Sequence, residues 1–179
     1  MAEKCDIIDG KRRRYRVEVF VLGDNNTILA SLKGLGNYPE LPGGGLDEGE
    51  SLTEAGLRET REEAGWSAIA PTVLDVPGNW LFAGSDDAWF NRCGWNEEQQ
   101  LAVVCTADMF APTHEYGSEG DSHEFDLVPI PELIAHTEEM LKNELTPRRR
   151  FLALFRLAAL KRISERTLVI ESYPNWKKW

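Results

Sequence analysis

Ser51 and Glu54 stand three residues apart in a capping-box pattern, and Gly65 has the position of a C′ glycine. Together they bracket a helix from about Leu52 to Ala64, the strongest local constraint on how this chain can fold. At about 100° per residue, Glu59, Glu62 and Glu63 lie within about 100° of one another, one turn apart. Gly56, Thr60 and Ala64 form a neighbouring face small enough to press closely on a sheet. Arg58 lies four residues from both Glu54 and Glu62 and can pair with either.

The helix and its approach are unusually acidic. Between Asp47 and Glu63, seven of seventeen residues are Asp or Glu. Like charges at these spacings each cost a few tenths of a kcal/mol on an isolated helix, which a solvated face tolerates. A hard divalent cation would turn that repulsion into attraction, since Mg²⁺ takes oxygen ligands from one or two carboxylates together with substrate phosphates. The Gly- and Pro-rich stretch from Gly34 to Gly49 supplies bare backbone beside the carboxylates. Helix geometry alone leaves both readings open, a solvated acidic face or a metal site.

Around this helix the chain alternates elements. Tyr15 to Leu22 reads as a strand, Gly23–Asn26 as a turn, and Thr27 to Leu32 as the returning strand of a hairpin. Further strands are expected at Ala68–Val76, Gln100–Phe110 and Glu124–Ile130. One helix opens at Pro131. Another has Thr146 as N-cap and Pro147 at N1 and runs to about residue 164. In it Phe151, Leu154, Phe155, Leu157 and Ala158 recur as a core-facing stripe. Strands mixed with a few helices predict an α/β or α+β sandwich. At 179 residues the chain fits one domain, with residues 77–98 as a long polar insertion suited to a lid or a dimer contact.

Composition excludes several classes. No apolar run approaches the roughly 20 residues that span a bilayer, and no apolar leader stands at the N-terminus, so a cytoplasmic location is expected. Cys5, Cys93 and Cys105 are odd in number and widely spaced, against a disulfide framework or a structural zinc site. A net charge of −10 argues against a general nucleic-acid-coating role. The basic runs Lys11–Arg14 and Arg148–Arg150 read more simply as a solvated strand edge and a helix surface than as phosphate contacts. His114, His123 and His136 lack metal-ligand spacing.

Residues Gly44 to Trp66, led in by Leu41-Pro42-Gly43, resemble the Nudix box, GX5EX7REUXEEXGU, with U a bulky aliphatic residue. Every specified Gly, Glu and Arg is present. Thr60 and Trp66 depart at the two U positions. The resemblance implies a Nudix-type α/β/α sandwich with a mixed central sheet. It implies that Glu59, Glu62 and Glu63 ligate Mg²⁺ or Mn²⁺, that Glu50 orients Arg58, and that Arg58 braces the loop on the helix. A backbone carbonyl of Gly43 or Gly44 would complete the site. A further ligand is expected from the later acidic loop, with Glu119 first and Glu115 and Glu124 behind it. Glu62 and Glu119 are both candidates for the base that takes the proton of the attacking water.

The activity implied is metal-dependent hydrolysis of a diphosphate linkage in a nucleoside diphosphate joined to another moiety. A free nucleotide, such as a nucleoside triphosphate or dinucleoside polyphosphate, is the expected substrate. Nucleotide sugars, NAD-like dinucleotides and 5′-capped RNA are alternatives, and a homodimer is left open. Tyr38, Trp80, Phe82, Trp89 and Trp95 could stack on a base, although core packing is the commoner use of such residues. A non-cleaving Nudix-fold module that binds a nucleotide or RNA is the main rival, and such modules usually carry a damaged box. An isomerase of the isopentenyl-diphosphate type would need a Cys- and Glu-bearing motif that Cys93 and Cys105 do not supply.

Overall fold

The computed structural model of the chain describes residues 3–32, 39–84, 88–108 and 124–171, and for 88, 89, 91 and 167–171 the backbone alone. Its centre is the parallel pairing of β2 (Lys11–Gly23) with β6 (Glu97–Ala107). Both strands are rich in β-branched residues that fill a two-sided interior. Around them the sheet runs β4 (Ala68–Val73), β6, β2, β3 (Thr27–Ala30), β7 (Asp126–Pro129). The short β1 (Cys5–Ile8) pairs with β2 and β5 (Leu81–Ala83) with β6, both antiparallel. The expected hairpin is present, with Leu22 opposite Ile28 and Gly23 opposite Thr27.

Alternation along the two central strands sorts the core into layers. Val17, Val19, Val21, Val103 and Cys105 face α1 (Leu52–Ala64). Phe20, Ile28 and Ala102 face the opposite side, where α3 (Ile130–Met140) and α4 (Pro147–Glu171) contribute Leu133, Phe155, Ala159 and Leu160. The result is the expected α/β/α sandwich with a mixed sheet. No helix among the described residues is long and apolar enough to cross a membrane.

Several expected boundaries move. Strand β2 begins at Lys11 and β6 at Glu97, because their charged ends pair with each other across the ladder. Lys11 and Arg13 both bond Glu97, so this basic run is a paired strand rather than a solvated edge. Residues 77–98 hold β5, the short helix α2 (Ala88–Cys93) and the first turns of pairing in β6. Helix α4 continues to Glu171. Leu154 is exposed, lying nearly opposite the buried stripe of Phe155, Arg156, Ala159, Leu160 and Ile163.

The second edge of β2 positions the site. It is shared in succession by β1, then by the loop that precedes α1, then by β3. Val17 and Val19 donate their amides to the Gly44 and Pro42 carbonyls, and Leu46 donates back to Tyr15. The glycine-rich loop is thereby fastened along the middle of the central strand. A Cβ on Gly43 would run into the Val17 carbonyl, so the close approach requires glycine there.

Candidate active site

Helix α1 starts as its cap residues dictate. The Ser51 hydroxyl accepts from the Glu54 amide, and the Glu54 carboxylate accepts from the Ser51 amide at 2.9 Å. Gly65 closes the helix in the left-handed conformation, with φ 67°. On the inner face Gly56 lies against Val103, and Thr60 donates its hydroxyl to the Gly56 carbonyl at 2.8 Å. Thr60 thus fits a fully buried position usually given to an aliphatic residue. Trp66 packs at the margin of the same core.

The outer edge of α1 gathers the charged residues at the loop. Arg58 donates through Nε and Nη2 to both oxygens of Glu50, at 2.9 and 3.0 Å. Its Nη2 also reaches the Gly45 carbonyl at 2.9 Å, and Nη1 reaches Glu59 at 2.7 Å and Glu62 at 3.1 Å. Glu50 in turn accepts from the Asp47 amide. One guanidinium therefore ties the loop to three carboxylates. The Arg58 bonds hold the Glu50 carboxyl below its ordinary range, and Glu50 first of all raises Arg58 further above its own.

Glu63 reaches the loop separately, accepting from the Gly43 amide at 2.8 Å. The Gly43 carbonyl accepts from Arg16 Nη2 at 2.9 Å. A side chain on Gly44 would collide with the Glu59 carboxylate, so the loop and Glu59 are in close contact. Glu59 is 6% exposed, and burial pushes its carboxyl up despite Arg58 beside it. The protein around Glu63 pushes that carboxyl up to about 7, against the pull of the Gly43 amide and Arg16. Glu63 keeps an exposed surface, and solvent there softens the effect. Glu62 is the open member, with its side chain 54% exposed.

A model of the NUDIX domain matches residues 12–155. The chain belongs to the Nudix family. In fold the Nudix chain is similar to a NUDIX hydrolase from Nitrosomonas europaea, with TM-score 0.51 and 17% identity over 82% of this chain and 90% of that one. A MutT structure from work on Aliivibrio salmonicida and Vibrio cholerae matches at TM-score 0.48 and 18% identity, over 82% and 98%. An ADP compounds hydrolase matches at 0.49 and 22%, over 87% and 74%. No curated protein matches the chain. The expectation of a Nudix hydrolase is met by the family match and the fold.

The structure brings Glu50, Arg58, Glu59, Glu62, Glu63, Gly43 and Gly44 to one edge of α1. Glu115 and Glu119 lie outside the described residues, as do His114, His123 and Tyr38, and Glu124 is exposed at the margin of β7. Arg16 is the site residue that sequence reasoning missed. It sits inside the apolar strand pattern YRVEVFVL, and nothing in that pattern announces its bond to Gly43. All three cysteines are free, and burial pushes the Cys105 thiol up to about 12, which makes it inert.

Proposed function

We propose that this enzyme hydrolyses a diphosphate linkage in a nucleoside diphosphate joined to another moiety, with Mg²⁺ or Mn²⁺ held by Glu59, Glu62 and Glu63. The substrate on this reading is a free nucleotide, such as a nucleoside triphosphate or a dinucleoside polyphosphate. The observation that carries it is the single Arg58 guanidinium bonded at once to Glu50, Glu59, Glu62 and the Gly45 carbonyl. That network keeps three or more carboxylates crowded at a glycine loop, a costly arrangement without a cation.

The residues present suit a hard divalent ion. The donors are all oxygen, Glu59 is buried and pushed toward its neutral form, and carboxylates outnumber the two arginines that face them. Among the described residues no three such side chains already converge as a ligand set. Glu59 and Glu62 are turned to Arg58, so ligation requires them to share that contact with the ion. The Gly43 and Gly44 carbonyls each accept one hydrogen bond and keep a second lone pair. Glu119 is the further ligand on this reading.

When bound, the cation neutralises phosphate charge and makes an attacking water more acidic. The protein's share is placement. Glu50 and Arg58 fix the loop against α1 and set the spacing of the carboxylates. Glu62, exposed and one turn from Glu59, and Glu119 are the two candidate bases for the water's proton on this reading. A dense acidic pocket also rejects the polyanionic substrate until the ion is present, which couples binding to the metal.

The test is a phosphate-release screen over nucleoside triphosphates, dinucleoside polyphosphates, nucleotide sugars and NAD, with coupled pyrophosphatase and phosphatase, in Mg²⁺, Mn²⁺ or EDTA. Metal-dependent cleavage of a free nucleotide class is the expected result. Silence on the whole panel, with cation binding demonstrated separately, would move the reading to capped RNA or to binding without cleavage.

A further inference from the structure

Opposite α1, on the sheet face covered by α4, the central strands carry polar side chains where a core would be apolar. Arg14, Arg16 and Glu18 alternate along β2, and Glu98 and Gln100 along β6. The register sets Arg14 beside Glu98, Arg16 beside Gln100 and Glu18 beside Ala102. At each end of this row α4 supplies a partner. Arg148 bonds Glu98 at 2.9 Å, and Arg156 bonds Glu18 and the Pro39 carbonyl.

The middle of the row is different. Gln100 is 2% exposed, and among the described residues neither its Oε1 nor its Nε2 has a hydrogen-bond partner. A buried amide without partners is costly to fold, so it calls for a physical reason. Beside it, Arg16 is half-buried and spends Nη2 on the Gly43 carbonyl. Glu63 holds the amide of the same Gly43, so Arg16 and the carboxylate edge meet at one loop residue. Its positive charge is felt by both Glu59 and Glu63. Trp80, whose carbonyl accepts the Gln100 amide N–H of the backbone, walls the same layer and meets Phe155 edge-on at 5.3 Å.

We propose that Arg16 and Gln100 form the specificity subsite for a nucleotide, Arg16 taking a phosphate oxygen and the Gln100 carboxamide taking an adjacent donor and acceptor on the base. This rests on the nucleotide reading above and extends it to named contacts. Neighbouring strands are about 4.8 Å apart, so the two groups are one strand spacing from each other on one face. The hydrogen bonds from Glu63 through Gly43 to Arg16, and the strand register from Arg16 to Gln100, then set the order phosphate to base. A carboxamide offers one donor and one acceptor side by side, the complement of a base edge. A site built to make such bonds discriminates strongly against a ligand that lacks them, because its own polar groups are then left unpaired.

The test is calorimetric binding of ADP, GDP, CDP, UDP and inorganic pyrophosphate in Ca²⁺, to wild type, Gln100→Leu, Gln100→Glu and Arg16→Gln. Wild type should prefer one base by about tenfold or more, and Gln100→Leu should flatten that preference while leaving pyrophosphate unchanged. Gln100→Glu, which keeps a polar side chain if the leucine variant folds poorly, should shift preference toward the base edge with two adjacent donors. Arg16→Gln should weaken all five ligands, pyrophosphate included, by about tenfold. An unchanged base ratio in both Gln100 variants, absence of any preference in wild type, or undiminished pyrophosphate binding in Arg16→Gln would overturn the subsite. Selective binding without cleavage in Mg²⁺ or Mn²⁺ would sink the hydrolase reading alone. Cleavage with base selectivity indifferent to Gln100 would sink the subsite alone.

Discussion

Burial pushes the Glu63 carboxyl from 4.5 up to about 7, against the pull of the Gly43 amide. A raised folded value means that Glu63 contributes stability fully below pH about 4.5 and loses it as pH rises through about 7. Its contribution to unfolding free energy in EDTA should therefore decline across that window, and Glu63→Gln should remove the decline. Urea titrations of both proteins at several pH values check this. An identical pH slope in the variant would show that Glu63 is not the source. The box carboxylates and Arg58 were legible because fixed spacing on a capped helix places side chains without knowledge of the rest of the fold. Arg16 and Gln100 were not, since their setting arises from the pairing of strands more than eighty residues apart in sequence.

At the scale of elements, α1 carries the chemistry and depends on fitting closely to the sheet. A Cβ built on Gly56 would lie 3.0 Å from Val103 Cγ1, tighter than side chains normally sit. Gly56→Val should therefore cost about 1–3 kcal/mol through overpacking, although valine is the better helix former. The displaced helix should also lose turnover, because Glu59 on the same helix is in close contact with the loop at Gly44. Thermal unfolding and turnover of the variant test the two parts together, and unaltered stability would contradict the tight-packing account. The bounds of α1 were readable to the residue since both caps are local signals. Strands β1 and β5 and helix α2 are too short for a hydrophobic period to register. The charged opening of β6 looked like loop because Glu97 and Glu98 read as solvent-facing, whereas Arg13 and Arg148 bond them.

Across the whole molecule, ion pairs join the sheet to α4 where the apolar layer gives out. Glu98 is wholly buried between Arg14 on β2 and Arg148 on α4, at 3.3 and 2.9 Å. Burial lowers Arg14 from its ordinary value, with Glu98 the main opposing influence, so the carboxylate is what keeps the arrangement tolerable. Glu98→Gln should cost about 3–5 kcal/mol, since removing one member of a buried pair strands the charge of the others. A urea midpoint within error of wild type would contradict that. Arg156, central to the buried face of α4, defeated the pattern reading for the same reason: its charge is met by Glu18, a residue 138 positions away.

The central claim is that the carboxylates of α1 hold a divalent cation for diphosphate hydrolysis, and Glu62→Gln tests it most directly. Glu62 is exposed and bonded to Arg58 alone among the described residues, so the substitution leaves the core untouched. On a substrate cleaved by wild type in Mg²⁺ and not in EDTA, the variant should fold normally and lose most turnover, about 100-fold or more. A folded Glu62→Gln protein that turns over at the wild-type rate would contradict the account.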